Sequence, residues 1–138
     1  MKAVVLKKAE RLRERLSLIA PLATVTPEVF MAERPRRDLC AFYLILAVEE
    51  CRDLAEHLIA ENAWGAPESA GEEFELLAQK GVIDAALARR MRQAVGLRNL
   101  LVHEYAEVDW VRVHSAANDL SRLSEFLAAV LRFSGLQP

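Results

Sequence analysis

The sequence predicts an all-α protein, an antiparallel bundle of about five helices. Three observations predict it. Apolar residues recur at helical spacing over long stretches. Only 5 Gly and 5 Pro punctuate 138 residues, too few turn signals for a many-stranded sandwich or barrel. Hydrophobic residues make up 53% and aromatics 7%, so the core must be built from Leu, Val, Ile and Ala. No linker, repeat or low-complexity tract interrupts the chain, and its length suits one domain over residues 1–138.

The first segment, about residues 2–20, sets Leu6, Ala9, Leu12, Leu16 and Ile19 on one stripe with lysines and arginines opposite, and Pro21 is expected to end it. After a connection from Thr24 to Pro27, Val29-Phe30-Met31 adds a single turn. The second segment, about 36–62, carries Leu39, Phe42, Tyr43, Leu46, Leu54 and Leu58, and is apolar nearly all round from Leu39 to Val48, as a central helix should be. Trp64-Gly65-Ala66-Pro67 breaks it. Ser69 followed by Glu72 is a capping box opening a short helix with Phe74, Leu77 and Ala78 inward, closed by Lys80-Gly81. Asp84 is the expected N-cap of the fourth segment, which runs through Leu87, Met91, Ala94 and Val95. Gly96 weakens that helix by about 1 kcal/mol against alanine and suggests close approach of another helix. Asp109 caps the last segment, which carries Val113, Ala117, Leu120, Leu123 and Leu127 and frays at Phe133-Ser134-Gly135.

Charge and cysteine usage narrow the function. With 18 basic and 20 acidic residues the net charge is −2, so a protein that coats nucleic acid by bulk charge is excluded and any RNA contact is local. Cys40 and Cys51 lie three helical turns apart, about 16 Å along the axis, too far for a disulfide. Two packed thiols fit a reducing compartment. Neither a signal-peptide pattern nor a membrane span is visible, so the expected location is the cytoplasm.

The chemistry concentrates in Arg98-Asn99-Leu100-Leu101-Val102-His103-Glu104-Tyr105. On a regular helix Asn99 and His103 share a face, and Arg98 and Tyr105 share another. Arg98 and His103 diverge by roughly 140°. They converge only if the helix ends or bends near Val102, or if a neighbouring copy supplies one of them. An arginine fork binds phosphate at two points. A histidine can take a proton from a ribose 2′-hydroxyl or return one to a leaving oxygen. Together they suffice for metal-independent RNA cleavage, with Asn99 orienting and Tyr105 offering a hydroxyl. The plainer reading is a solvated helix end, where a histidine also interacts well with the dipole.

The segment resembles the Arg-x4-His-x-Tyr motif of HEPN-domain proteins, and specifically the HepT-like family of small helical toxins. Arg98, Asn99, His103 and Tyr105 each fall on a motif position. The likeness extends over about residues 36–131, through Ala47-Val48-Glu49 with Asp53 and His57-Leu58-Ile59, Glu68-Ser69 with Phe74-Glu75-Leu76-Leu77, Gly81-Val82-Ile83, and Val108-Asp109. The resemblance implies a homodimer with two motifs facing across a cleft. It implies the toxin of a type VII toxin–antitoxin system, an endoribonuclease in which His103 is acid/base, Arg98 the phosphate clamp and Asn99 an orienting residue. It also implies a cognate MntA-type nucleotidyltransferase as antitoxin, which attaches AMP to Tyr105, and no cofactor or metal. The alternative is a non-catalytic binding partner of a minimal nucleotidyltransferase.

Glu49, Asp53 and His57, at i, i+4 and i+8, read as a polar stripe more readily than a metal site, and Glu49 and Asp53 are expected to reach the cleft and support Arg98 or His103. Arg89, Arg90 and Arg92 form a solvated face that could guide an RNA backbone toward Arg98. His114 reads as structural, and Trp64 and Trp110 as packing anchors.

Overall fold

In the computed structural model, which describes residues 2–138, the chain is helical throughout and the described residues contain no strand. The helices are α1 (Lys2–Ala23), α2 (Pro27–Ala32), α3 (Arg34–Glu61), α4 (Ala70–Gln79), α5 (Ala85–His103), α6 (Trp110–Asn118) and α7 (Ser121–Phe133), with a 3-10 turn at Tyr105–Glu107. The all-α bundle is as expected; the helix count is seven among the described residues rather than five.

Two of the differences have causes in hydrogen bonding. Pro21 does not end α1 but sits inside its last turn. The carbonyls there find other donors: Thr24 Oγ1 donates to Ala20 O at 2.7 Å, and Arg36 Nη1 reaches Leu22 O at 3.2 Å. A cation at a helix C-terminus is also favoured by the dipole. The single last helix is split into α6 and α7 at Asp119 and Leu120. Asp119 Oδ1 accepts from Ser121 N at 3.2 Å and Ser121 Oγ at 2.6 Å, and that local bond competes with continuing the helix.

The caps follow the sequence closely. Ser69 Oγ accepts from Glu72 N at 3.2 Å, while Glu72 Oε2 accepts from Glu68 N at 3.0 Å, one residue earlier than a standard capping box. Gly81 takes φ +78° after Lys80, the left-handed turn its lack of a Cβ permits. Asp84 Oδ1 accepts from Leu87 N at 2.7 Å to open α5. Asp109 Oδ1 accepts from Val111 N at 3.0 Å to open α6.

The longest packing contact runs between α1 and α3; α4 lies on α5, α6 on α1 and α2, and α7 closes against α3, α5 and α1. Aliphatic side chains dominate one core cluster, and Phe30, Phe74 and Phe126 are its largest fully buried members. The stripe of α1 begins at Val5, not Leu6, which stays exposed. The first half of α3 is covered on one side only: Leu39 and Phe42 remain 42% and 52% exposed. Both cysteines are free and buried, and burial pushes the Cys40 thiol up to about 11. No helix among the described residues is long and apolar enough to cross a membrane.

His114 and the tryptophans pack as expected. His114 Nε2 lies 2.7 Å from Val25 O, with its ring 5.1 Å from that of Phe30, tying α6 to the α1–α2 connection. Trp64 packs on Phe133 at 5.7 Å.

Phe74 of α4 meets Phe126 of α7 edge to face at 5.3 Å and 84°. Phe74→Ala is expected to lower unfolding free energy by about 3–5 kcal/mol. Urea denaturation checks this, and a loss below about 1 kcal/mol would mean that the α4–α7 contact does not hold the bundle.

Candidate functional site

Arg98 comes off α5 facing α3, because Leu97 and Leu101 on either side of it are buried in the core. Its Nε lies 2.8 Å from Glu49 Oε1, and its Nη1 donates to Asn99 Oδ1 at 3.0 Å. The same Glu49 oxygen receives Arg52 Nη1 at 3.3 Å. Arg98 is only 19% exposed, so Glu49 balances a partly desolvated charge, not a surface one. The remaining N–H groups of the guanidinium are left for a ligand.

The helix stays regular through Arg98 to His103 and ends there, where Glu104 N donates to Leu100 O at 2.9 Å. The backbone divergence of roughly 140° between Arg98 and His103 therefore stands. Asn99 offsets it: it shares a face with His103, and its amide oxygen draws the Arg98 guanidinium toward that face. His103 itself is exposed at the helix terminus.

Tyr105 lies outside the helix, so it does not share the face of Arg98 as a continuous helix would require. Its hydroxyl donates to Asp38 Oδ1, and its ring stands edge-on to Trp110 at 5.3 Å. Asp38 is flanked by Arg34 at 3.5 Å and Arg37 at 3.9 Å, and the Arg37 guanidinium stacks over Trp110 at 4.6 Å. Burial, then the bond to Asp38 and its negative charge, push the Tyr105 hydroxyl up to about 12. Asp38 was missed in the sequence because it reads as one more charge in Arg36-Arg37-Asp38; only the fold brings it 67 residues along the chain to Tyr105.

The two anchors, Arg98 on Glu49 and Tyr105 on Asp38, run in opposite senses, so α5 lies antiparallel to α3. They are separated by about 16 Å along α3. Val102, 43% exposed, falls at the level of Phe42.

Asp53 is exposed, and its charge acts on the neighbouring Glu50, on the side that faces Lys8, Arg11 and Arg15 of α1, so Asp53 is not brought to Arg98. His57 pairs with Glu61 at 3.1 Å. Among the described residues no group of three His, Cys, Asp or Glu is placed to hold a metal ion. Of the arginines ahead of the motif, Arg90 is tied to Glu125 and Ser121, Arg92 to Glu75, and Arg89 is exposed. Gly96 is not a close-approach point within the chain: a Cβ there would meet nothing within 4 Å.

Behind Glu49, the polar network continues. Arg52 Nη2 lies 3.7 Å from Glu56, and the Glu56 carboxylate acts on the buried Glu73 of α4. Burial first, then the Glu56 carboxylate, pushes Glu73 up to about 7.

A family profile described as ribonuclease HepT-like matches residues 5–130 of the chain. An mRNA nuclease HepT from Shewanella oneidensis is 34% identical over 83 residues, 59% of this chain and 62% of its own length, so the chain spans about three-fifths of that relative. A protein from Archaeoglobus fulgidus is 31% identical over 127 residues, 91% of this chain and 89% of its own. Among solved structures, a tri-AMPylated Shewanella oneidensis HEPN toxin in complex with MNT antitoxin is similar at TM-score 0.87 and 25% identity, over 94% of this chain and 98% of that one. A toxin–antitoxin structure with AMP-PNP has the same fold at TM-score 0.87 and 24% identity, over 94% and 99%.

The Glu56–Glu73 pair makes stability pH-dependent. An unfolded glutamate loses its proton near 4.5, while folded Glu73 keeps it to about 7. The folded state then binds more protons within that window, so stability falls as pH rises from 4.5 to about 7 and is level above. Glu73→Gln is expected to remove that part of the fall in urea midpoint; an unchanged slope would show that the pair holds no proton.

Proposed function

The chain belongs to the HepT-like ribonuclease family, and from that premise we propose that it is the toxin of a type VII toxin–antitoxin system, a metal-independent endoribonuclease silenced by AMP on Tyr105. Residues 1–138 are read as one HEPN-like domain working in the cytoplasm. The observation that carries the reading is the Arg98 guanidinium, paired with Glu49 and bonded through Nη1 to Asn99, the residue one helical turn before His103.

The chemistry follows from those groups. Arg98 grips the non-bridging oxygens of the scissile phosphate and offsets the charge that builds on them during attack. His103 takes the proton of the 2′-hydroxyl, the 2′-oxygen bonds to phosphorus, and the bond from phosphorus to the 5′-oxygen breaks. That oxygen leaves with a proton returned by an imidazole. The products are a 2′,3′-cyclic phosphate and a 5′-hydroxyl. No side chain but imidazole is required for either transfer. Asp53 takes no part in this scheme; Glu49 supports it by holding Arg98.

A second copy completes the site. Leu39 and Phe42 of α3 and Val102 of α5, the two helices that carry the motif and its anchors, are exposed, and apolar side chains of that size are covered at interfaces. A homodimer formed there sets two His103 side chains at one cleft, so that one serves as base and the other as acid.

Tyr105 is the switch. A cognate MntA-type nucleotidyltransferase transfers AMP from ATP: the Tyr105 oxygen bonds to the α-phosphorus, pyrophosphate leaves, and Asp38 accepts the hydroxyl proton. The new phosphodiester lies first against Arg34 and Arg37, which flank Asp38, while the nucleoside obstructs RNA entry. Silencing thus works by bulk and charge at the cleft mouth, not by direct competition for Arg98.

Purified protein incubated with RNA and chelator is expected to cut it, with Arg98→Ala and His103→Ala each slowing cleavage by at least about 100-fold. Cleavage undiminished in both variants would refute the catalytic roles. Intact-mass measurement after incubation with the cognate transferase and ATP is expected to show added AMP on wild type and none on Tyr105→Phe. Equal gain in the variant would move the modification elsewhere.

A further inference from the structure

Resting on the nuclease reading above, we propose that the exposed face of α5 is a track for the RNA strand, running from His103 back to a phosphate subsite at Arg92 and Arg89. At about 100° per residue, Arg89, Arg92, Gly96, Asn99 and His103 all fall within roughly 80° of arc on α5. The stripe is about 21 Å long from Arg89 to His103. Two cations stand at one end, the imidazole at the other, and between them is a residue with no side chain.

The surface is open and shaped. A groove of about 450 Å³ follows the middle of the stripe, from Arg92 to Asn99, walled by Arg52, Arg92, Arg98 and Asn99 and passing over Gly71 and Gly96, and the stripe continues past its lining to Arg89 and to His103. Each glycine has a distinct role. A Cβ on Gly71 would come within 3.2 Å of Arg92 Nε, so its absence lets Arg92 lie across the start of α4. A Cβ on Gly96 would meet nothing within 4 Å and would project into the groove itself. No packing demand accounts for a glycine in the middle of α5, where it is a poor helix former; an unobstructed track does.

Charge selects the occupant. No carboxylate lines the groove, in a chain whose net charge is −2. The carboxylates that hold its arginines reach in from the rim: Glu75 on Arg92, Glu49 and Glu56 on Arg52, and Glu49 on Arg98. The Arg92–Glu75 pair is exposed on both sides, so an incoming phosphate can displace Glu75 at little cost. Arg98, gripping the scissile phosphate, already borders the groove, so the same strand continues into it.

The probe is a dye-labelled single-stranded RNA bound to His103→Ala protein, with anisotropy read across a salt series. Adding Arg92→Ala is expected to flatten the dependence of log affinity on log salt by about 0.7 and to weaken binding severalfold. Gly96→Leu, a better helix former and so no threat to folding, is expected to weaken binding severalfold with sedimentation mass unchanged. Arg90→Ala, the same charge loss on the opposite side of α5, is expected to leave the salt dependence as it was. The track is refuted if Arg92→Ala matches Arg90→Ala, or if Gly96→Leu binds RNA as its parent does. It is also refuted if Gly96→Leu splits the oligomer, because the face is then covered by a second copy. Failure of wild type to cut RNA sinks the nuclease reading; cutting by wild type with unaltered binding in both variants sinks the track alone.

Discussion

The contact of Arg98 with Glu49 is the constraint on which the arrangement depends. A half-buried guanidinium without a counter-charge is costly, and the Glu49 carboxylate 2.8 Å from Nε offsets that cost by its charge, while the bond from Nη1 to Asn99 orients the fork. One oxygen of Glu49 serves two arginines, Arg98 and Arg52, and Arg52 in turn touches Glu56, whose charge acts on the buried Glu73. Three helices, α3, α4 and α5, are therefore joined through one polar chain at the back of the motif. Packing by Leu97 and Leu101 sets the rotation of α5 that makes the contact reachable.

The second anchor divides the motif into two centres. Tyr105 is carried off the helix by the turn after His103 and held by Asp38, about 16 Å along α3 from Glu49. A hydroxyl held there keeps its proton up to about 12, so it is a poor nucleophile until a partner brings both a phosphoryl group and the geometry to use Asp38 as proton acceptor. On the reading proposed above, cleavage and its control use separate anchors on α3, Glu49 for Arg98 and Asp38 for Tyr105, near one end of α5.

Much of the fold was legible because it is written locally. Ser69, Asp84, Asp109 and Gly81 mark their own helix ends through bonds to residues two or three away, or through a backbone angle. The family followed from the spacing of Arg98, Asn99, His103 and Tyr105. What was illegible depends on distant partners or on competition between neighbours. Pro21 stays helical because Arg36, from another helix, donates to the carbonyls around it. Asp119 breaks the last helix by bonding Ser121 when periodicity alone runs straight through. Asp38 has no local signal at all, and Glu49 differs from Asp53 only in the side of α3 that meets α5. Gly96 misleads in the opposite sense, since its missing side chain opens a groove and does not admit a helix.

On the proposed reading, Glu49 positions Arg98 for work on phosphate. Steady-state cleavage of a short RNA by Glu49→Gln tests it most directly. Glutamine keeps the shape and the acceptor oxygen but not the charge. The variant is expected to show a kcat well below wild type with KM changed little and the helical fold intact, because Arg98 stays near the site but loses the charge that holds it. A kcat equal to wild type would contradict it.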